Sequence, residues 1–427
     1  MAQQSAHPAI AFQLDPERVG AVRRLRDAAL KDHDGAPDMD RMAHYRYARL
    51  QQQIIANDCA GALIINSTNL LYATDTLYAQ GQGSRGSTRA VFVPAEGRAV
   101  LYDWGKYTFG KRPDFIGEIR DSFATDYFIS GAFYADSTKR WADDIVDLVN
   151  SLKLGTKRLA IDHCEPELAI HIANAGIEIV NAEKIIERAG AIKSDDELYC
   201  MAHTVAIAER GLTRIREKIR PGISEQELWS ELAHENARHG NGWFDYCMLA
   251  SGRRTNPWGG ECSHKLIEAG ELVGVDTGMI GPYGYCADIS RTFFCGPDKP
   301  DAEQRHLYQV ALENLSFNIE AIRAGMSFRE FSEKAWPVPE EFWSRRYNSI
   351  AHGVGMGNEW PLIPFRADSL CDGDDDQIIE VNMVLAIEAC IGREDGIECV
   401  KLEDMIIVRE GKCQLLSTFP YEDALFR

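Results

Sequence analysis

Two aspartates, Asp276 and Asp288, stand twelve residues apart in the stretch GELVGVDTGMIGPYGYCADISRTFF, from Gly270 to Phe294. Val273 and Val275 precede the first, and Ile289, Phe293 and Phe294 follow the second. A carboxylate among such neighbours must be paired, hydrogen-bonded or bound to a cation. The stretch reads as two strands joined by a turn at GPYGY. Two acids on the arms of a hairpin can face each other, and facing carboxylates repel unless they share a proton or a cation. Arg291 leaves a second reading open, one capping aspartate and one in an ion pair.

Three more residues of the same kind lie downstream. His352 sits among small residues in SIAHGVGMGNEWP, with room for an ion to approach. Glu388 lies inside the apolar run NMVLAIEAC, and Glu403 inside CVKLEDMIIV, where Lys401 offers it a partner. Four carboxylates and one imidazole suit one or two divalent transition ions, Fe, Mn, Co or Zn. Trp243, Trp258, Tyr283, Tyr285, Tyr347 and Trp360 lie close in sequence to these words. Aromatic faces around an onium group contribute on the order of 0.5–2 kcal/mol each. Core packing is the other use for each ring. Arg253 and Arg254 either hold a substrate carboxylate or are surface charges on a turn.

The elements that must position these groups fall into two parts. Helix and strand patterns alternate through residues 41–190: a helix over 41–57, strands over 62–65, 90–94 and 99–103, a helix over 137–153 capped by Ser137 or Thr138, a strand over 158–162, and a helix ending at Gly176. NSTNLLYATDT reads as chain turning away from the first strand. That order predicts an α/β domain over 1–190. Ser194 with Glu197, and Ser224 with Glu227, have capping-box spacing and open two helices. Helices with antiparallel strands then predict an α+β domain over 191–427.

Composition narrows the class. The chain has 427 residues, 45% hydrophobic and 26% charged, with a net charge of −19. The acidic balance argues against nucleic acid and anionic membrane as partners and for cationic substrates or bound metal. Apolar runs are too short for a membrane span, and the N-terminal stretch lacks the pattern of a secretory signal. The 11 cysteines are scattered with no C-x-x-C pair. They read as reduced thiols of a cytoplasmic protein.

The order Asp276, Asp288, His352, Glu388, Glu403, within VDTG, ADISRTF, AHGVG, MVLAIEA and KLED, resembles the creatinase/methionine aminopeptidase family of pita-bread metalloenzymes. NLLYATD resembles its N-terminal domain, and IKSDDEL the start of its catalytic domain. The resemblance implies a pita-bread α+β catalytic domain behind a creatinase-type α/β domain, a homodimer, and all five residues as metal ligands, with His352 and Glu388 also catalytic. Peptidases of the family use two further histidines. The first region here reads LASGRRTNPWGGEC, and the second position is Asn358. LASGRRTNPWGGEC, PYGYCADISRT, HGVGMGNEWP and STFPYEDAL are most similar to the dimethylsulfoniopropionate lyase branch. That branch implies a metal-dependent carbon–sulfur lyase, with Tyr347 at the reacting centre; Arg254, Trp258, Tyr283, Tyr285 and Trp360 are the candidates to surround its substrate. It carries a further metal-binding aspartate where this chain has Gly278, and an aspartate base where this chain has Asn358. The alternative is a metallohydrolase of a small amide, Xaa-Pro dipeptide or ectoine-like compound, with Asn358 as a hydrogen-bond donor.

Overall fold

A computed structural model describes residues 37–76, 89–103, 112–239, 243–368 and 377–426. They form two units that divide between Gly190 and Ala191.

The first unit carries six strands: β1 (Gly61–Ile64), β2 (Ala90–Pro94), β3 (Ala99–Asp103), β4 (Ile116–Asp121), β5 (Arg158–Ile161) and β6 (Glu178–Asn181). They lie in the order β4-β3-β2-β1-β5-β6. β1, β2 and β3 pair antiparallel, while β4, β5 and β6 join their neighbours in parallel. Helix α1 (Met39–Ala56) precedes the sheet, and α2 (Tyr134–Ser151) buries Trp141, Ile145 and Val149 against Phe92, Tyr102 and Leu159. Two sequence expectations need correction. Residues Ser67–Thr74 form a helix, because the Asn66 side chain accepts from the backbone N–H of Thr68 and Asn69 and caps it. Ser137 and Thr138 are buried inside α2, which begins earlier out of a 3-10 turn at Gly131–Phe133.

The second unit begins with α3 (Asp195–Lys218) and α4 (Glu225–Arg238), each opened by the expected capping box at Ser194 and Ser224. The hairpin follows. β9 (Leu272–Asp276) pairs antiparallel with β12 (Ser290–Phe294), with Asp276 opposite Ser290. Its arms narrow through β10 (Met279–Ile280) and β11 (Cys286–Ala287), while β7 (Trp243–Phe244) and β8 (Leu249–Ser251) join β10 and β9 from outside. A second sheet contains β13 (Ser349–Val354), β14 (Asn358–Pro364), β15 (Val384–Gly392), β16 (Cys399–Ile407) and β17 (Gln414–Leu415), in the order β14-β13-β15-β16-β17.

Strand alternation sorts β15 and β16 into two faces. Leu385, Ile387, Ala389, Ile391, Val400, Leu402 and Ile406 pack into a core with Leu307, Ala311, Leu315 and Ile319 of helix α5 (Ala302–Ala321). The opposite face carries Glu388, Lys401 and Glu403, with Glu388 directly opposite Glu403. Arg291 ties β12 to β16: its guanidinium donates to the carbonyls of Glu403 and Phe419 and to the Asp404 carboxylate at 2.7 Å each.

Candidate metal centre

Asp276 ends β9, Asp288 lies just before β12, His352 is on β13, and Glu388 and Glu403 face each other on β15 and β16. All five are at most 5% exposed. His352 Nε2 lies 3.0 Å from Glu388 Oε1, 3.6 Å from Asp288 Oδ2 and 3.7 Å from Glu403 Oε1. Asp288, His352 and Glu403 each offer an atom within 4.8 Å of the others, the one such group of three among the described residues.

Whether these residues fit an ion can be judged from two details. Asp288 Oδ2 and Glu403 Oε1 are buried with no hydrogen-bond partner, although both face the imidazole. Buried carboxylate oxygens left in that state are costly unless a cation meets them. The imidazole is also oriented for the purpose. Its Nδ1–H donates to the Gly353 carbonyl at 3.0 Å, which directs Nε2 at the carboxylates. Oxygen donors with one imidazole fit a divalent transition ion.

Three further residues complete the cluster, of which the sequence offers only Lys401, as a partner for Glu403. Lys401, fully buried, donates through Nζ to Glu388 Oε2, to Glu403 Oε2 at 2.9 Å and to Ser290 Oγ at 2.8 Å, and lies 3.6 Å from Asp276 Oδ2. Ser290 donates to Glu403 Oε2 at 2.7 Å. The Tyr246 hydroxyl meets Asp276 Oδ1 at 3.1 Å and, more closely, Asp288 Oδ1. Lys401 has a readable signal, since it sits two places before Glu403 and so shares its face of β16. Nothing in FDYCM marks Tyr246.

Burial pushes Asp276, Asp288 and Glu388 above the usual carboxylate range, and the neighbouring acids push Asp288 and Glu388 further. Burial works the same way on Glu403, but Lys401 and His352 outweigh it and hold this carboxyl low. Desolvation opposes charge on Lys401, yet Glu388 and Glu403 outweigh it and keep the ammonium charged. The Tyr246 and Tyr347 hydroxyls are raised first by burial and then by the acids beside them.

The other predicted site residues divide. Tyr347 is at the cluster, its ring centre 4.7 Å from Lys401 Nζ. Trp258 lies across β9, where its ring fills the space that a Cβ on Gly274 would need, 2.4 Å away. Its indole N–H is buried without a partner. Tyr283 is half-buried with its ring edge on His203, centroids 5.6 Å apart. Asn358 is exposed at the start of β14, in register with Val354.

Three of the candidate substrate-binding residues have partners within the chain. Arg254 has its charge on the buried Glu225, and it also donates to the Glu261 carbonyl at 2.9 Å. Tyr285 is buried, and its hydroxyl donates to Glu197 at 2.7 Å in the first turn of α3. Trp360 packs on Phe328 at 5.3 Å and against the main core. Each is drawn away by a partner distant in sequence.

The chain is similar to known proteins. The profile of metallopeptidase family M24 matches residues 199–410. The dimethylsulfoniopropionate lyase of Roseovarius nubinhibens is 31% identical over 91% of this chain and 88% of its own length, and that of Roseobacter denitrificans is also 31% identical over the same shares. The Xaa-Pro dipeptidase of Pyrococcus furiosus is 28% identical over 56% of this chain and 67% of its own. The solved Xaa-Pro dipeptidase from Bacillus anthracis superposes with a TM-score of 0.70 at 24% identity, covering 89% of this chain and 99% of that one.

Proposed function

The chain belongs to metallopeptidase family M24, and from that premise we propose that it is a metal-dependent lyase. Its substrate in this reading is dimethylsulfoniopropionate or a similar small onium carboxylate, and its products are acrylate and dimethyl sulfide. The observation that carries the proposal is the similarity to the Roseovarius nubinhibens lyase along 91% of this chain.

In this reading Asp276, Asp288, His352, Glu388 and Glu403 build the metal centre. A bound divalent ion supplies Lewis-acid stabilisation of the negative charge that develops on the substrate carboxylate. The chain's own groups do the rest. Trp258, with an apolar face and an unpaired N–H, lies along β9 two residues from Asp276, where it faces the sulfonium. Tyr347 stands at the reacting carbon as the proton acceptor. Burial and Glu388 hold its proton on, the Lys401 ammonium against its ring pulls the other way, and a bound divalent ion would add positive charge on that side, so the phenolate this role needs would form in the metal-loaded centre. The α-proton passes to the phenolate oxygen, its electron pair forms the carbon–carbon double bond, and the carbon–sulfur pair leaves with neutral dimethyl sulfide. The same reading takes residues 1–190 as the N-terminal domain and 191–427 as the catalytic one, in a cytoplasmic homodimer that acts on a small zwitterion and not on nucleic acid or membrane. No helix among the described residues is long and apolar enough to cross a membrane.

The second reading is a metallohydrolase of a small amide, Xaa-Pro dipeptide or ectoine-like compound, favoured by the similarity to the Pyrococcus furiosus dipeptidase. Asn358→Asp separates the two. In a lyase it adds a carboxylate base, and general-base catalysis is worth ~10²–10⁴-fold, so sulfide release rises. In a hydrolase it puts a negative charge beside a developing oxyanion and lowers amide turnover by ~10²-fold or more. Loss of amide turnover in a protein that releases no sulfide in either form would overturn the lyase reading.

A further inference from the structure

The oxygens of the carboxylate cluster fall into two halves. In one, Asp288 Oδ2 and Glu403 Oε1 have no donor and Glu388 Oε1 has only the imidazole, all grouped around His352 Nε2. In the other, every oxygen already faces a donor of the chain. Asp276 Oδ1 and Asp288 Oδ1 meet the Tyr246 hydroxyl, Glu388 Oε2 and Glu403 Oε2 receive Lys401 Nζ, and Asp276 Oδ2 lies 3.6 Å from the same ammonium.

We propose that the centre holds one divalent ion, on Asp288, His352, Glu388 and Glu403, and that Tyr246 and Lys401 fill the place a second ion would take. The proposal rests on the metalloenzyme reading above and deepens it.

Both residues are fixed where they stand. The Lys401 backbone exchanges hydrogen bonds with the Thr292 hydroxyl at 2.9 and 3.1 Å, and Tyr347 closes over its ammonium. Tyr246 is held by Gly278, two residues after Asp276. A Cβ on Gly278 would lie 2.6 Å from the Tyr246 ring, and its backbone has φ +40°, which an L side chain rarely adopts. Position 278 therefore offers no ligand of its own, and the phenol stands where one would reach in. A second divalent ion would also have to sit against the ammonium. At roughly 4 Å, a +1 to +2 repulsion weakens binding by ~30-fold even at the screening of bulk water, and by more in a buried site.

The test is metal stoichiometry on the full-length chain, stripped by chelation and reloaded with Mn²⁺. Equilibrium dialysis with elemental analysis should give one tightly held ion per chain, with any second equivalent at least ~30-fold weaker. Electron paramagnetic resonance should show the six-line signal of an isolated Mn²⁺. Lys401→Gln removes the competing charge, so its second equivalent should bind at least ~10-fold more tightly than in the parent chain. Two ions of similar affinity in the parent chain, with an exchange-coupled spectrum, would overturn the single-ion proposal and leave the lyase reading standing. A chain that binds no Mn²⁺ would overturn both.

Discussion

Replacing Arg291 with methionine should destabilise the second unit sharply. Arg291 is 1% exposed, and its guanidinium donates to the carbonyls of Ser290, Glu403 and Phe419 and to the Asp404 carboxylate at 2.7 Å, with the Tyr421 ring 4.7 Å away. Methionine fills much of the volume but leaves Asp404 buried with only the Ser417 and Tyr421 hydroxyls. Removing one partner of a buried ion pair costs about 3–5 kcal/mol. A unit of this size shifts by about 2–4 °C per kcal/mol, so Tm should fall by roughly 6–20 °C. Circular dichroism melts and urea midpoints of the purified chain would measure it. Arg291→Met with Asp404→Asn removes the stranded charge, keeps an acceptor for Ser417, and should recover about half of the loss or more. A single variant that melts within ~3 °C of the parent, or a double variant no more stable than the single one, would refute the reasoning.

Other expectations follow from the same contacts. His352→Ala removes the imidazole that faces the acids, so divalent-ion affinity should fall by at least ~100-fold in dialysis, since groups behind the ligands alone cost 10–100-fold; unchanged affinity would place the ion elsewhere. Gly278→Ala must force both a strained backbone and the Tyr246 ring, and should cost about 1–3 kcal/mol in urea unfolding. Glu225→Gln exchanges an acceptor for a donor against the Ser251 and Ser263 groups that donate to it, and should cost about 1–3 kcal/mol. Arg254→Ala leaves the buried Glu225 with only the Ser251 and Ser263 donors, so it should cost about 1–3 kcal/mol and leave KM unchanged, whereas a ~10-fold rise in KM would return it to the substrate site.

The sequence announces what depends on local chemistry. Acids and a histidine inside β-branched runs mark Asp276, Asp288, His352, Glu388 and Glu403; the last four side chains meet around the imidazole, and Asp276 joins them through Tyr246 and Lys401. The capping boxes at Ser194 and Ser224 are equally legible, because both partners lie within one helical turn. What escapes notice is set by tertiary partners. Arg254 reads as a free cation until α4 brings Glu225 against it, and Tyr285 as a hairpin aromatic until α3 brings Glu197. Tyr246 gains its place only when the hairpin brings Asp276 and Asp288 beside it. The helix at Ser67–Thr74 hides because threonine and asparagine favour turns as readily as caps, and only the Asn66 hydrogen bonds decide the matter.

The central claim is carbon–sulfur bond cleavage at a metal centre built from these residues. The most direct measurement incubates the purified, metal-loaded chain with dimethylsulfoniopropionate and follows sulfide in the headspace and acrylate in solution. The account predicts the two products in equal amounts, lost on chelation and in His352→Ala, and restored to the parent chain by added metal. Intact dimethylsulfoniopropionate beside turnover of an Xaa-Pro dipeptide by the same preparation would contradict it.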